Sequence, residues 1–86
     1  MAYEVRFARP VAKELRRLDR GEAKRIVEAA EALAEDPRPS GVQKVRGTPY
    51  MRIRVGSYRI VYEVRDEDLV VLVVKVGHRR EVYRGL

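Results

Sequence analysis

Between Tyr50 and Arg65 the chain reads Tyr-Met-Arg-Ile-Arg-Val-Gly-Ser-Tyr-Arg-Ile-Val-Tyr-Glu-Val-Arg, and its arginines are the residues best placed to do chemistry. Gly56-Ser57 between two alternating runs signals a two-residue hairpin turn with glycine first, as type II′ requires. That turn sets a register in which Val55 faces Tyr58, Ile53 faces Ile60 and Met51 faces Tyr62. On the other face Arg54 lies opposite Arg59, Arg52 opposite Val61 and Tyr50 opposite Glu63. Directly opposed side chains have Cβ atoms roughly 5 Å apart, and like charges placed so destabilise a sheet. An anion held between two guanidinium forks, phosphate above all, accounts for the pair. A solvated basic face with splayed side chains is the other reading. Lys44 and Arg46 precede the hairpin, either as phosphate contacts that carry no sequence information or as exposed loop charges. Glu63 is a candidate base on the arginine face, or an ion-pair partner of Arg52 or Arg65. Farther on, Gly77-His78-Arg79-Arg80 puts polar chemistry at the end of an apolar strand, a common place for a site.

The elements that must position these residues follow from periodicity. Residues 2 to 7 alternate, with Tyr3, Val5 and Phe7 on one face, and predict a first strand. Pro10 suits a first helical position, and Val11, Leu15 and Leu18 recur at helical spacing. Gly21 separates this helix from a second at about 22 to 35, whose Ala23, Ile26, Val27, Ala30, Leu33 and Ala34 form one stripe. The charges Lys13, Arg16, Arg17, Lys24 and Arg25 then make a solvated outer face or extend a nucleic-acid footprint. Asp36-Pro37-Arg38-Pro39-Ser40-Gly41 is a breaker cluster. The hairpin follows, then a polar turn at Asp66-Glu67-Asp68. The apolar run Leu69 to Val74, continuing through Lys75-Val76, predicts a central strand covered on both faces, at least partly by the helices. The expectation is an α+β fold: N-terminal strand, two-helix hairpin, then a three-stranded antiparallel meander, forming one mainly antiparallel sheet in a single domain, 1–86.

Composition narrows the chemistry. The 86 residues include 19 Lys and Arg against 13 Asp and Glu, a formal charge of +6, which favours a polyanion or an acidic protein as partner. The absence of cysteine excludes a disulfide framework and thiol chemistry, and a single histidine leaves no Cys/His metal cluster, so no metal or cofactor is expected. There is no apolar run near the ~20 residues of a membrane helix and no apolar signal-peptide centre, and a cytoplasmic location without membrane attachment is expected.

Three local patterns coincide with this order of elements: Lys44-Val45-Arg46-Gly47, Ser57-Tyr58-Arg59-Ile60-Val61-Tyr62, and Val76-Gly77-His78-Arg79 followed by Val82-Tyr83. Together they resemble the RelE/ParE superfamily of toxins from toxin-antitoxin pairs, closest to the RelE mRNA interferase branch. The resemblance implies a RelE-like, microbial-RNase-like fold and an endoribonuclease that enters the ribosomal A site and cuts mRNA there. It implies as partners a cognate antitoxin in a toxin-antitoxin hetero-oligomer, mRNA and ribosomal RNA. By the same resemblance Arg52 and Arg54 match two basic residues of the first hairpin strand, Arg59 the arginine that stabilises the phosphorane, Arg79 the arginine that protonates the leaving oxygen, and Tyr83 a tyrosine that stacks on the base. The family's strand lysines are arginines here, and arginine is a poor general base. His78 is a candidate for the acid or base role, or only a turn residue. Tyr83 offers a flat face for an unstacked base, or covers the sheet edge. The site expected from the resemblance is thus Arg54, Arg59, His78, Arg79 and Tyr83 for catalysis, with Lys44, Arg46 and Arg52 on RNA. Two other functions stay open: a ParE-like inhibitor of DNA gyrase, and a weakened homologue that only binds antitoxin or RNA.

Overall fold

The computed structural model describes residues 2–78. The elements run β1 (Glu4–Phe7), α1 (Arg9–Arg17), α2 (Arg20–Ala32), β2 (Gln43–Lys44), β3 (Met51–Val55), β4 (Tyr58–Arg65) and β5 (Val70–His78). The five strands form one sheet in the order β1-β5-β4-β3-β2, with β1 parallel to β5 and every other pair antiparallel. The α+β expectation holds, and the sheet gains a short strand, β2, that periodicity did not mark.

Helix α1 carries Pro10 in its first turn and Arg16 and Arg17 in its last, where cations favour the dipole. Helix α2 starts two residues earlier than its apolar stripe suggests. The Asp19 carboxylate accepts a hydrogen bond from the Gly21 amide at 3.1 Å and caps the helix, so Gly21 lies inside the first turn and breaks nothing. Both helices pack on one face of the sheet. Val11, Ile26, Ala30 and Leu33 meet Ile60, Tyr62, Val71, Val73 and Val76 there, all nearly or wholly buried.

The hairpin has the expected register, Val55 opposite Tyr58, Ile53 opposite Ile60 and Met51 opposite Tyr62. Gly56 has φ +60° at the first turn position, which glycine adopts without a Cβ penalty. Strand β5 is central, between β4 and β1, but the helices cover only one of its faces. On the other, Val70 lies opposite Glu4 and Arg65, and Leu72 opposite Arg6 and Glu63. The ion pairs Arg6–Glu4 (2.6 Å) and Arg65–Glu63 (2.5 Å) flank these two residues, and their aliphatic stems shelter them in place of a third layer.

One irregularity in β5 decides which of its side chains reach each face. Tyr62 pairs with Val73 and Val61 with Lys75, leaving Val74 as an extra residue, a β-bulge. Before it Val71 and Val73 face the helices; after it Val76 does. The alternation therefore changes phase at Val74.

The breaker loop is fastened to the sheet. The Tyr62 hydroxyl donates to the Pro37 carbonyl at 2.8 Å, and Arg38 forms two hydrogen bonds to Asp66, Nη2 to Oδ2 at 2.9 Å and Nη1 to Oδ1 at 3.2 Å. The Tyr3 hydroxyl donates to the same carboxylate at 2.7 Å. Arg38 first, then Tyr3, holds the Asp66 carboxyl below its ordinary 3.8. A depressed carboxyl pKa stabilises the fold above its unfolded value, and the contribution disappears as pH falls through the folded one. Asp66→Asn is therefore expected to lower the thermal midpoint at neutral pH and to converge on the wild type in acid. Two melting curves that stay equally separated from pH 7 to acid would show that the charge on Asp66 is irrelevant.

Candidate functional site

The helix-free face of the sheet collects the basic residues near the hairpin turn. Arg54 lies directly opposite Arg59, as the turn geometry requires, and Gly77 stands on the other side of Arg59. One row farther from the turn, the register runs Gln43, Arg52, Val61, Lys75 across four strands. Val61 is fully buried although neither α1 nor α2 covers this face. Its cross-strand neighbours Arg52 and Lys75 are half-buried, as stems lying across an apolar floor would be.

A cleft of about 300 Å³ opens over these residues, lined by Gly41, Gln43, Arg52, Ile53, Arg54 and Arg59. None of the described residues that line it is acidic. Arg52 donates from Nη2 to the Gln43 side-chain Oε1, which orients its guanidinium along the cleft edge. Glu63 takes the ion-pair alternative with Arg65 and does not enter the cleft lining. The cleft thus presents planar guanidinium donors, and its described lining holds no carboxylate, an arrangement suited to a phosphate group.

Not every residue marked in the sequence arrives at this face. Lys44 pairs with Met51, which packs against the core, so Lys44 belongs to the opposite side and Gln43 takes the place beside Arg52. Arg46 is exposed in the turn that follows β2. His78 also lies on the helix side, opposite Tyr58, with ring centroids 4.2 Å apart and planes tilted by 39°. The Tyr58 hydroxyl in turn donates to Glu22 on α2 at 3.0 Å. His78 is therefore separated from Arg54 and Arg59 by the sheet. Arg79 and Tyr83 lie outside the described residues.

Two residues of this face escaped the sequence reading. Gln43 gave no signal beyond a polar type in a loop. Lys75 did give one, a cation inside an apolar run, and the bulge at Val74 turns it to the arginine side.

Comparison with known proteins agrees with this architecture. The family profile of the ParE toxin of type II toxin-antitoxin systems (parDE) matches residues 5–83. The mRNA interferase toxin RelE of Escherichia coli K12 is 36% identical to this chain, over 96% of this chain and 92% of its own length. Toxin RelG of Mycobacterium tuberculosis is 32% identical, covering 98% of this chain and 99% of its own. Among solved structures, the archaeal RelE-RelB complex from Pyrococcus horikoshii OT3 superimposes with a TM-score of 0.81 at 31% identity, over 93% of this chain and 98% of that one. With a family profile spanning almost its whole length and relatives above 30% identity over nearly all of both chains, the chain belongs to the RelE/ParE family of toxins from type II toxin-antitoxin systems.

Proposed function

We propose that this toxin is an endoribonuclease that cuts mRNA in the ribosomal A site, by attack of a ribose 2′-hydroxyl on the adjacent phosphate. The observation that carries the reading is the pair Arg54–Arg59, opposed across the hairpin in a cleft whose described lining holds no carboxylate. Such a pair weakens the sheet unless it binds an anion, and in-line attack at a phosphate develops the negative charge that two arginines stabilise. The identity to a relative named as an mRNA interferase favours RNA as the source of that phosphate. In this reading Arg54 and Arg59 hold the scissile phosphate and Arg52 a flanking one. By resemblance to the family, Arg79 protonates the leaving oxygen and Tyr83 stacks on the base. His78, on the far side of the sheet, takes no part at the phosphate.

The partner that restrains the toxin is an antitoxin, as in the RelE-RelB complex of Pyrococcus horikoshii. An acidic segment would neutralise the arginine face, and an amphipathic one would cover apolar surface. Among the described residues no helix is long and apolar enough to cross a membrane, and we place the protein in the cytoplasm with its substrate.

The test is primer extension on programmed ribosomes with purified protein, with naked RNA and Arg59→Ala as controls. Cuts confined to the A site, dependent on the ribosome and absent with Arg59→Ala, are expected. Folded protein that cuts nothing but blocks DNA supercoiling would replace this reading with gyrase inhibition. Binding to a single-stranded RNA should weaken with salt by about 0.7 log units per log unit for each phosphate neutralised, near −2 for three arginines. Arg54→Ala is expected to reduce that slope by about 0.7; an unchanged slope would remove Arg54 from the phosphate contacts.

A further inference from the structure

Among the described residues that line it, the cleft has charge stabilisers and no proton acceptor. Arginine, with a pKa above ~12, does not remove a hydroxyl proton near neutrality, and Arg52, Arg54 and Arg59 are the charged residues of the described lining. Cleavage through a 2′-hydroxyl nonetheless needs a group to take that proton. Lysine is the more suitable chemical type, since its amine gives up its proton within the range that proteins use for general bases.

Lys75 stands beside the arginines for a reason visible in the backbone. It pairs with Val61, whose other neighbour is Arg52, and Val61 lies two residues beyond Arg59 on β4. Arg59 and Lys75 are thus diagonal cross-strand neighbours, roughly 7–8 Å apart at their Cα atoms and within reach of each other's long side chains. The charged groups facing Lys75 are Arg59 and Glu63 on the adjacent β4, Arg52 one strand beyond on β3, and Arg6 farther along on β1. The bulge is what brings it here. Uninterrupted alternation from Val71 and Val73 would carry residue 75 into the helix-facing core, and the extra residue Val74 reverses it. Bulges interrupt a ladder, and they recur beside active sites where they re-aim one side chain. This one re-aims Lys75 from the helix-facing core to the side of Arg52 and Arg59.

Resting on the endoribonuclease reading, we propose that Lys75 is the proton acceptor for the ribose 2′-hydroxyl. The Lys75 Nζ takes the proton as the 2′ oxygen bonds to the neighbouring phosphorus. The bond from phosphorus to the 5′ oxygen breaks, and the departing oxygen takes its proton from the general acid named above. The Lys75 ammonium then passes a proton through water to that acid, which restores both groups. The products are a 2′,3′-cyclic phosphate and a 5′-hydroxyl.

The experiment is single-turnover cleavage on programmed ribosomes across pH, for the wild type, Lys75→Arg and Lys75→Met, with thermal melting and RNA affinity measured alongside. Lys75→Arg keeps the charge and removes the acceptor. Both variants are expected to cleave about 100-fold or more slowly. Lys75→Arg should keep the wild-type melting temperature and affinity, and should lose the rise of rate with pH shown by the wild type. A fast Lys75→Arg with a slow or misfolded Lys75→Met would mean that Lys75 supplies charge only, and would overturn the proposal. Wild-type rates in both variants would overturn it as well while leaving the endoribonuclease reading intact. A folded wild type that cuts nothing would overturn both.

Discussion

Arg54→Ala is expected to slow cleavage by about 100- to 1,000-fold and, at the same time, to make the protein more stable. The first effect follows from removing one of two donors aimed at the charge that develops on the phosphate. The second follows from the register: Arg54 is exposed and directly opposite Arg59, so truncating it relieves a like-charge pair and sacrifices little packing. Relief of such a pair is worth about 0.2–1 kcal/mol. Urea unfolding and single-turnover cleavage on the same preparation read the two effects together. Opposite signs identify a pair retained for binding and not for folding. A loss of both activity and stability would instead make Arg54 a structural residue. Arg59→Ala is a less clean partner, because Arg59 is half-buried and its stem packs on the sheet. If one phosphate bridges both guanidinium groups, the double variant should lose less activity than the single losses combined.

Tyr62→Ala is expected to leave the chain largely unfolded. Tyr62 is fully buried and belongs to the same hairpin as the arginines, but faces the helices. Emptying an aromatic site of this kind costs about 3–5 kcal/mol, against a total of about 5–15 kcal/mol for a domain, with small domains at the lower end. Tyr62→Phe isolates the hydroxyl. It leaves the Pro37 carbonyl without its 2.8 Å donor and is expected to cost about 1 kcal/mol by urea unfolding. A larger loss would show that the loop at 36–41 depends on this one bond. Burial pushes the Tyr62 phenol up to about 12 from its ordinary 10.0. A raised folded pKa means that stability is fully present below pH 10 and declines as pH rises toward 12. Tyr62→Phe should decline less steeply over that interval, the remainder coming from Tyr3 and Tyr58, whose phenols are also raised, and an equal decline in both proteins would assign the effect to other groups.

The hairpin was legible because two residues, Gly56 and Ser57, determine its register, and the register alone opposes Arg54 to Arg59. The helices were legible from their stripes, but α2 begins two residues earlier than expected, where Asp19 caps it, and ends three residues sooner, at Ala32. Strand β2 was not legible, since two residues carry no period, and a one-residue difference there exchanges Lys44 for Gln43 on the arginine face. The apolar run of β5 identified a central strand but not which side chains it presents. Counting by twos from Leu72 places residue 78 with the arginines and residue 75 with the core; the extra residue at Val74 exchanges them. Nothing in six consecutive apolar side chains marks where a ladder will slip, because several registers of such a run bury nearly the same surface. Only the cost of a buried ammonium opposes the unbulged one.

The pairing of β1 with β5 affects how the molecule comes into being. Glu4 sits beside Val70, so β1, near the start of the chain, waits for β5, more than sixty residues later, before it has a neighbour in the described sheet. The hairpin of β3 and β4 closes locally and early, whereas this contact spans most of the chain and is paid for in loop-closure entropy before it is rewarded. A ribosome translating this message therefore completes the arginine-bearing hairpin well before the sheet can close around it. A product broken off ahead of Val70 leaves β1 unpaired and β4 with an open edge, the form that proteases remove and that aggregates. A message cut ahead of the Val70 codon is therefore expected to yield no folded toxin.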